Sequence, residues 1–328
     1  MRLRSFGGDP VPVSEVGLGC WQIGGDQWGE VPDADALATL RAAVEAGTTF
    51  LDTADIYGSG RSEELIGRFR RERPGQLFIA TKLGKSSDPG GMENFSPTVM
   101  RRHTEGSLRR LGVESLDLTQ LHCTPLEVLE RGDVFDTLRK LKAEGKIRRF
   151  GASVESTAEA RACLKQEGLA SLQIIFNMFR QTPVSTLFEE AQAKGVAIIV
   201  RLPLASGLLA GKYTPGTTFA ATDHRTYNRN GEKFNVGETF AGLPFEKGLE
   251  LTEKLKKLLP PGYTLPLAAL RWCLDFPAVT VIIPGARNPS QAKKNAEASG
   301  VPALPADCHE KLRRFYRDEV KPAVRGPD

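Results

Sequence analysis

Four residues of the kinds that can together protonate a nascent alkoxide occur at Asp52, Tyr57, Lys82 and His122 of this 328-residue chain. A phenol keeps its proton at neutral pH and can give it away. A lysine cation beside it steadies the phenolate left behind and draws the phenol pKa down. A carboxylate holds that lysine charged, and a histidine can hydrogen-bond the oxygen that receives the proton. The set suits hydride addition to a carbonyl, where growing negative charge needs a proton and electrostatic support. Each residue also has a plainer reading. Asp52 suits a turn cap, Lys82 a solvated or paired strand end, and His122, between Leu121 and Cys123, a core position. The chemical reading therefore depends on the four converging in space.

The elements around them supply that convergence. The runs SEVGLGC, TTFLDTA, LFIATK, LDLTQLH, IRRFGAS, LQIIFN, VAIIVRL and VTVIIPG are short, apolar and bounded by Gly, Asp or Pro. Each leads into a stretch with helical periodicity. In the first such stretch, DADALATLRAAVEAG, Asp33 is placed as the cap and Gly47 as the terminator. Eight alternations predict a (β/α)8 TIM barrel, a single domain over 1–328 with a long loop after strand 7 and a C-terminal helix. In that fold strand ends share one rim. Asp52 closes the second strand just before Tyr57, Lys82 closes the third, and His122 the fourth. An open dinucleotide-binding sheet is disfavoured, because GLGCWQ lacks the last glycine of the expected turn. The segment 208–244 is rich in Gly, Thr and Asn and lacks periodicity, as expected of a functional loop on the active rim.

Composition removes other classes. The 44 basic and 40 acidic residues are well mixed, so no basic stripe points to nucleic acid. No apolar run is long enough for a leader or a membrane span. The five scattered cysteines suit reduced thiols, and a cytoplasmic protein is expected. HExxH and CxxC are missing, and no metal site is expected. Of the remaining histidines, His103 and His309 fall in or near helices, and His224, in the long loop, could touch substrate but reads first as a solvated loop residue. Oligomeric state is left open.

The strings FLDTADIYGSGRSEELIG, ATKLG, LHCTP and IPGARNPSQAKKNAEA resemble the motifs of the aldo-keto reductase family, in order over nearly the whole chain. The resemblance implies a metal-free barrel that reduces carbonyl compounds with NAD(P)H through a tetrad of Tyr57, Lys82, Asp52 and His122. Cys20 and Trp21 would border the nicotinamide, and Ser153 and Gln173 would bind its carboxamide. Trp21, Trp28, Ile56, Tyr57 and His122 would meet the substrate in an apolar mouth. Two positions depart from the pattern: Val154 replaces an expected asparagine, and Arg201 an expected stacking tyrosine. A guanidinium can stack on a planar ring, but its charge predicts a bias against the oxidised, cationic cofactor. Leu202, Pro203, Leu204, Ala205 and Ser206, with Gly211 and Lys212, match the segment that wraps the pyrophosphate. Gly285, Ala286 and Arg287 precede a last barrel helix capped by Asn288 and started by Pro289. Arg287 can pair with a 2′-phosphate, which favours NADPH over NADH. Gln291 and Asn295 would reach the adenosine. A cofactor-binding regulatory subunit with little turnover is the alternative reading.

Overall fold

The computed structural model describes residues 1–25, 28–73 and 75–327. The chain begins with an antiparallel hairpin, β1 (Leu3–Phe6) and β2 (Asp9–Ser14). Its inward residues, Phe6 and Val13, are buried against Phe50, Phe78, Leu118, Ile199 and Val281, and so close the N-terminal end of the barrel. Gly7 adopts φ +62 and lies so near the Gly195 carbonyl that a Cβ would stand 2.3 Å from it. The alternation here is brief and interrupted by Pro10 and Pro12, so the sequence carries little strand signal for this hairpin.

Eight parallel strands follow: β3 (Leu18–Gly19), β4 (Phe50–Asp52), β5 (Phe78–Leu83), β6 (Leu118–His122), β7 (Phe150–Ser153), β8 (Leu169–Ile175), β9 (Ala197–Arg201) and β10 (Val279–Ile282). They pair in sequence order, and parallel bridges Val16–Ile282 and Gly19–Gly285 join the last to the first. The result is the predicted barrel. Its strands are buried on both faces, which is why they read as unbroken apolar runs.

Helices cover the outside. Arg61–Glu72, Pro97–Leu111 and Asp133–Ala143 turn apolar faces inward, and the pair Arg109-Arg110 falls in the last turn of Pro97–Leu111, favourable to the helix dipole. The first long helix spans Asp33–Glu45, but Pro32 rather than Asp33 occupies its N-cap. Asp33 sits in the first turn and binds Arg61 instead. The C-terminal helix is Ala306–Phe315. No helix among the described residues is long and apolar enough to cross a membrane.

Candidate active site

The strand ends bring Asp52, Lys82 and His122 onto one rim, as expected, and the turn after β4 carries Tyr57 to them. That turn is tight: Gly58 and Ser59 adopt φ +59 and +55, and Gly58 lies against the Gly24 carbonyl. A Cβ at position 58 would stand 2.3 Å from that oxygen, so glycine is required. Lys82 Nζ donates to Asp52 Oδ1 at 2.6 Å, to the Thr53 carbonyl at 2.9 Å and to the Tyr57 hydroxyl at 3.2 Å. Asp52 and Lys82 are buried, which strengthens their attraction but demands that every remaining polar atom find a partner. The Tyr57 and His122 rings meet edge to face at 5.9 Å.

Electrostatics assign the protonation states. Burial holds His122 well below the usual histidine range, with Lys85, Lys82 and Arg201 pushing the same way, so it is neutral at pH 7. Tyr57 lies well above the usual tyrosine range, first through burial and then through the Asp52 charge. This corrects the expectation that a neighbouring lysine lowers the phenol pKa. Desolvation and the Asp52 charge win over Arg201 and Lys85, which pull downward.

An aromatic wall stands beside the tetrad. Trp21 stacks on Tyr57 at 5.9 Å and meets the edge of Trp28 at 5.4 Å. His224, expected in solvent, is fully buried against Trp21 at 5.0 Å and Trp28 at 4.4 Å. Its neighbour Arg225 lies over the Trp28 ring at 4.7 Å and binds Asp223 and the Tyr213 hydroxyl. The loop 208–244 is thus folded onto the barrel through short helices and buried polar contacts, which no periodicity announces. Ile56 is half-buried next to Tyr57.

The opposite wall is charged, not apolar. Arg201, at the end of β9, pairs with Glu238 of the long loop and donates to the Val154 carbonyl at 2.9 Å. Cys123, Glu155 and Glu238 place ligand-type atoms within 4.8 Å of one another. Lys85 hydrogen-bonds Cys123 and feels the charges of Glu155 and Arg201. Within this cluster Arg201 pairs with Glu238, while Glu155 Oε1 is buried without a partner. The Glu238 carboxylate thus balances the Arg201 guanidinium. Local sequence held no signal for Glu238, which lies 37 positions from its partner.

Gln120 is a different omission. It lies two residues before His122 on β6, on the same strand face, and its amide reaches Asp52 at 3.4 Å. Gln173 donates to the same Asp52 oxygen at 2.7 Å, and Ser153 donates to Gln173 at 3.5 Å. Cys20 is buried behind Trp21, its thiol on the Leu18 carbonyl and far from ionising.

The segment expected to bind a dinucleotide is conformationally strained. Leu202, Ala205 and Ser206 all adopt left-handed backbone, at φ +54, +48 and +53, a strain that persists where a backbone must present its groups to a ligand. Pro203 and Leu204 lie between them; Gly211 ends the segment in a left-handed turn, and Lys212 is exposed. Across from it, Asn288 caps the helix Pro289–Ala296 by accepting from the Gln291 N–H at 2.9 Å, with Pro289 in the first turn. Gln291 accepts from the Arg287 N–H and Asn295 donates to the Gly285 carbonyl, which leaves the Arg287 guanidinium exposed beside buried Ala286. The Gln22 Oε1 is buried without a partner and lies against Gly285, where a Cβ would stand 2.1 Å away. Arg201 Nε and His122 Nδ1 are also buried without partners. Unsatisfied buried donors and acceptors near the strand ends suit a polar ligand.

Sequence comparison places these residues in a known context. The model of the Aldo/keto reductase family matches residues 15–317. An aldo-keto reductase of Bacillus subtilis, YhdN, is 30% identical over 92% of this chain and 89% of its own. An NADH-specific methylglyoxal reductase of Escherichia coli is 28% identical over 94% of this chain and 96% of its own. Among solved structures, a glycerol dehydrogenase from Gluconobacter oxydans superposes with a TM-score of 0.76 at 31% identity, covering 97% of this chain and 95% of that one.

Proposed function

The chain belongs to the aldo/keto reductase family, and from that premise we propose that it reduces aldehydes or ketones to alcohols with NADPH, Tyr57 acting as the proton donor. The observation that carries the reading is the buried series Asp52–Lys82–Tyr57, with spacings of 2.6 and 3.2 Å and the neutral His122 beside it. Oxidoreductase chemistry on carbonyls and alcohols, with a nicotinamide cofactor, is common to the family. The cofactor supplies the hydride when bound.

The chain's own residues do the rest. His122, uncharged, donates a hydrogen bond to the carbonyl oxygen and fixes its position. Tyr57 gives that oxygen its proton as negative charge develops there. Lys82 faces the resulting phenolate at hydrogen-bond distance, and Asp52 keeps the lysine charged and oriented. Trp21, Trp28 and Ile56 shield the site from water. Ser153 and Gln173 would hold the carboxamide, and the segment from Leu202 to Ser206 with Gly211 and Lys212 would hold the pyrophosphate. Arg287, exposed at the start of the last barrel helix, supports the preference for NADPH through its fit to a 2′-phosphate. The free thiols of all five cysteines support a reducing compartment.

The test is NADPH oxidation with 4-nitrobenzaldehyde or methylglyoxal. Wild-type protein is expected to turn these over and Tyr57→Phe to lose the activity; a Phe variant as active as wild type would refute the assignment. Arg287→Ala should raise the KM for NADPH and leave that for NADH unchanged. Equal KM changes for both cofactors would remove the phosphate-binding role.

A further inference from the structure

Asp52 has two oxygens, and Lys82 uses only one. The other, Oδ2, faces two amides: Gln173 Nε2 at 2.7 Å and, more distantly, Gln120 Nε2 at 3.4 Å. The amides also face each other, Gln173 Nε2 to Gln120 Oε1 at 3.5 Å. The orientation of Gln173 follows from chemistry, since the reverse would set two oxygens 2.7 Å apart. All four residues are buried. No charged group other than Lys82 touches the carboxylate in these contacts, so the amides decide how much negative charge it turns toward the lysine.

We propose that Gln120 and Gln173 are positioning residues for proton transfer, drawing Asp52 charge toward Oδ2 so that Lys82 keeps its field on Tyr57. The inference rests on the reductase reading and deepens it. An acceptor whose second oxygen is hydrogen-bonded is a weaker base toward its first partner. Remove the amide donors, and Asp52 binds the Lys82 proton more tightly. Less positive charge then reaches the Tyr57 oxygen, and its phenolate becomes harder to form. Gln173 is expected to serve the carboxamide through its Oε1 as well, which leaves its Nε2 for Asp52. Gln120 has no expected cofactor contact, and that makes it the cleaner probe.

The direction of the effect is clearest in alcohol oxidation, where Tyr57 must first lose its proton. There the rate rises with pH as the phenolate forms. Gln120→Leu should move that rising limb upward by about half a pH unit to one unit, a roughly three- to tenfold loss of rate at fixed pH on the limb. NADPH affinity, read by quenching of tryptophan fluorescence, should stay within about twofold of wild type, on the expectation that Gln120 lies outside the cofactor contacts. Gln173→Leu should show the same limb shift and in addition weaker NADPH binding. Gln120→Met, linear and without a donor, serves if the branched side chain prevents folding. A limb unmoved in folded Gln120 variants overturns the proposal. Failure of the underlying reading looks different: Tyr57→Phe would then keep the wild-type limb, and the proposal would fall with its premise.

Discussion

Two buried ion pairs act on the Tyr57 hydroxyl, and they are built in different ways. Asp52–Lys82 joins the ends of β4 and β5, neighbours in the barrel ladder, and the lysine is further fixed by the Thr53 carbonyl. Arg201–Glu238 joins the end of β9 to the long loop and relies on Ser206, whose hydroxyl donates to the Glu238 carbonyl, to hold the loop backbone. The first pair is set by the scaffold. The second exists only when the loop is folded down. Geometry that chemistry requires to be constant is thus placed on strands, and geometry that surrounds the ligand is shared with a loop.

Breaking the scaffold pair should have the largest effect. Tyr57→Phe, which removes the proton but not the packing, is expected to lower kcat for aldehyde reduction about a thousandfold. Lys82→Met should lower it comparably and also destabilise the protein by about 3–5 kcal/mol, because the Asp52 carboxylate is left buried without its partner. Steady-state kinetics and urea unfolding would measure the two effects. If Lys82→Met stayed as stable as wild type, the buried pair would add nothing net to stability.

A third buried carboxylate sharpens the contrast because its ion-pair contact is long. Both oxygens of Asp55 are buried without a hydrogen bond, and His103 Nδ1 stands 3.8 Å away. Burial, with help from the Glu63 charge and against those of Arg110 and Lys82, pushes Asp55 up to about 7. In the unfolded chain a carboxyl titrates near 4. Below that pH both states hold the proton. Between the two values the unfolded chain ionises first, so this group's stabilising contribution is lost as pH rises to 7. Asp55→Asn cannot ionise. It should unfold at higher urea than wild type at pH 8, by about 2–4 kcal/mol, and close to wild type at pH 4. A gain of equal size at both pH values would show that ionisation is not its source.

The same division governs what could be read in advance. The eight strands, their order and the tetrad were legible because each depends on local runs and on the rule that barrel strand ends share a rim. The Asn288 cap and Pro289 start were legible for the same reason. Gln120 could have been found by stepping two residues back from His122. Glu238, His224 and Lys85 could not. His224 looked like a solvated loop residue because burial by Trp21 and Trp28 is a tertiary fact, and Asp33 yielded its cap role to Pro32 once Arg61 claimed its carboxylate. Trp21, Trp28 and His224 do pack together, and the Arg201–Glu238 pair adds charge that the sequence pattern does not announce.

The loop-built pair gives a smaller effect that reads cofactor charge directly. In Glu238→Gln the Arg201 guanidinium loses its counter-charge, next to where the proposed reading would put the nicotinamide. The cationic NADP⁺ should then bind about tenfold more weakly relative to NADPH than in wild type, a difference of about 1.4 kcal/mol. Arg201→Tyr, by contrast, should hardly change the ratio, since it removes a charge that Glu238 had already balanced. Fluorescence titration with each redox form would decide. An unchanged ratio in Glu238→Gln would place the guanidinium away from the cofactor.

The smallest effect expected is a flat line. For carbonyl reduction Tyr57 must be protonated, and its upward displacement keeps it so well past pH 9. His122, displaced downward, stays neutral well below pH 6.5. Neither Tyr57 nor His122 therefore ionises between about pH 6.5 and 9, and kcat for reduction should vary by less than about twofold across that range. The loop pair enters only as a correction, because Arg201 and Lys85 both pull Tyr57 down against burial and Asp52. Losing Arg201 should accordingly extend the plateau at its alkaline end. A bell-shaped profile centred near neutrality would mean that a tetrad proton moves within this range, and that desolvation does not dominate as the burial of the pair Asp52–Lys82 implies.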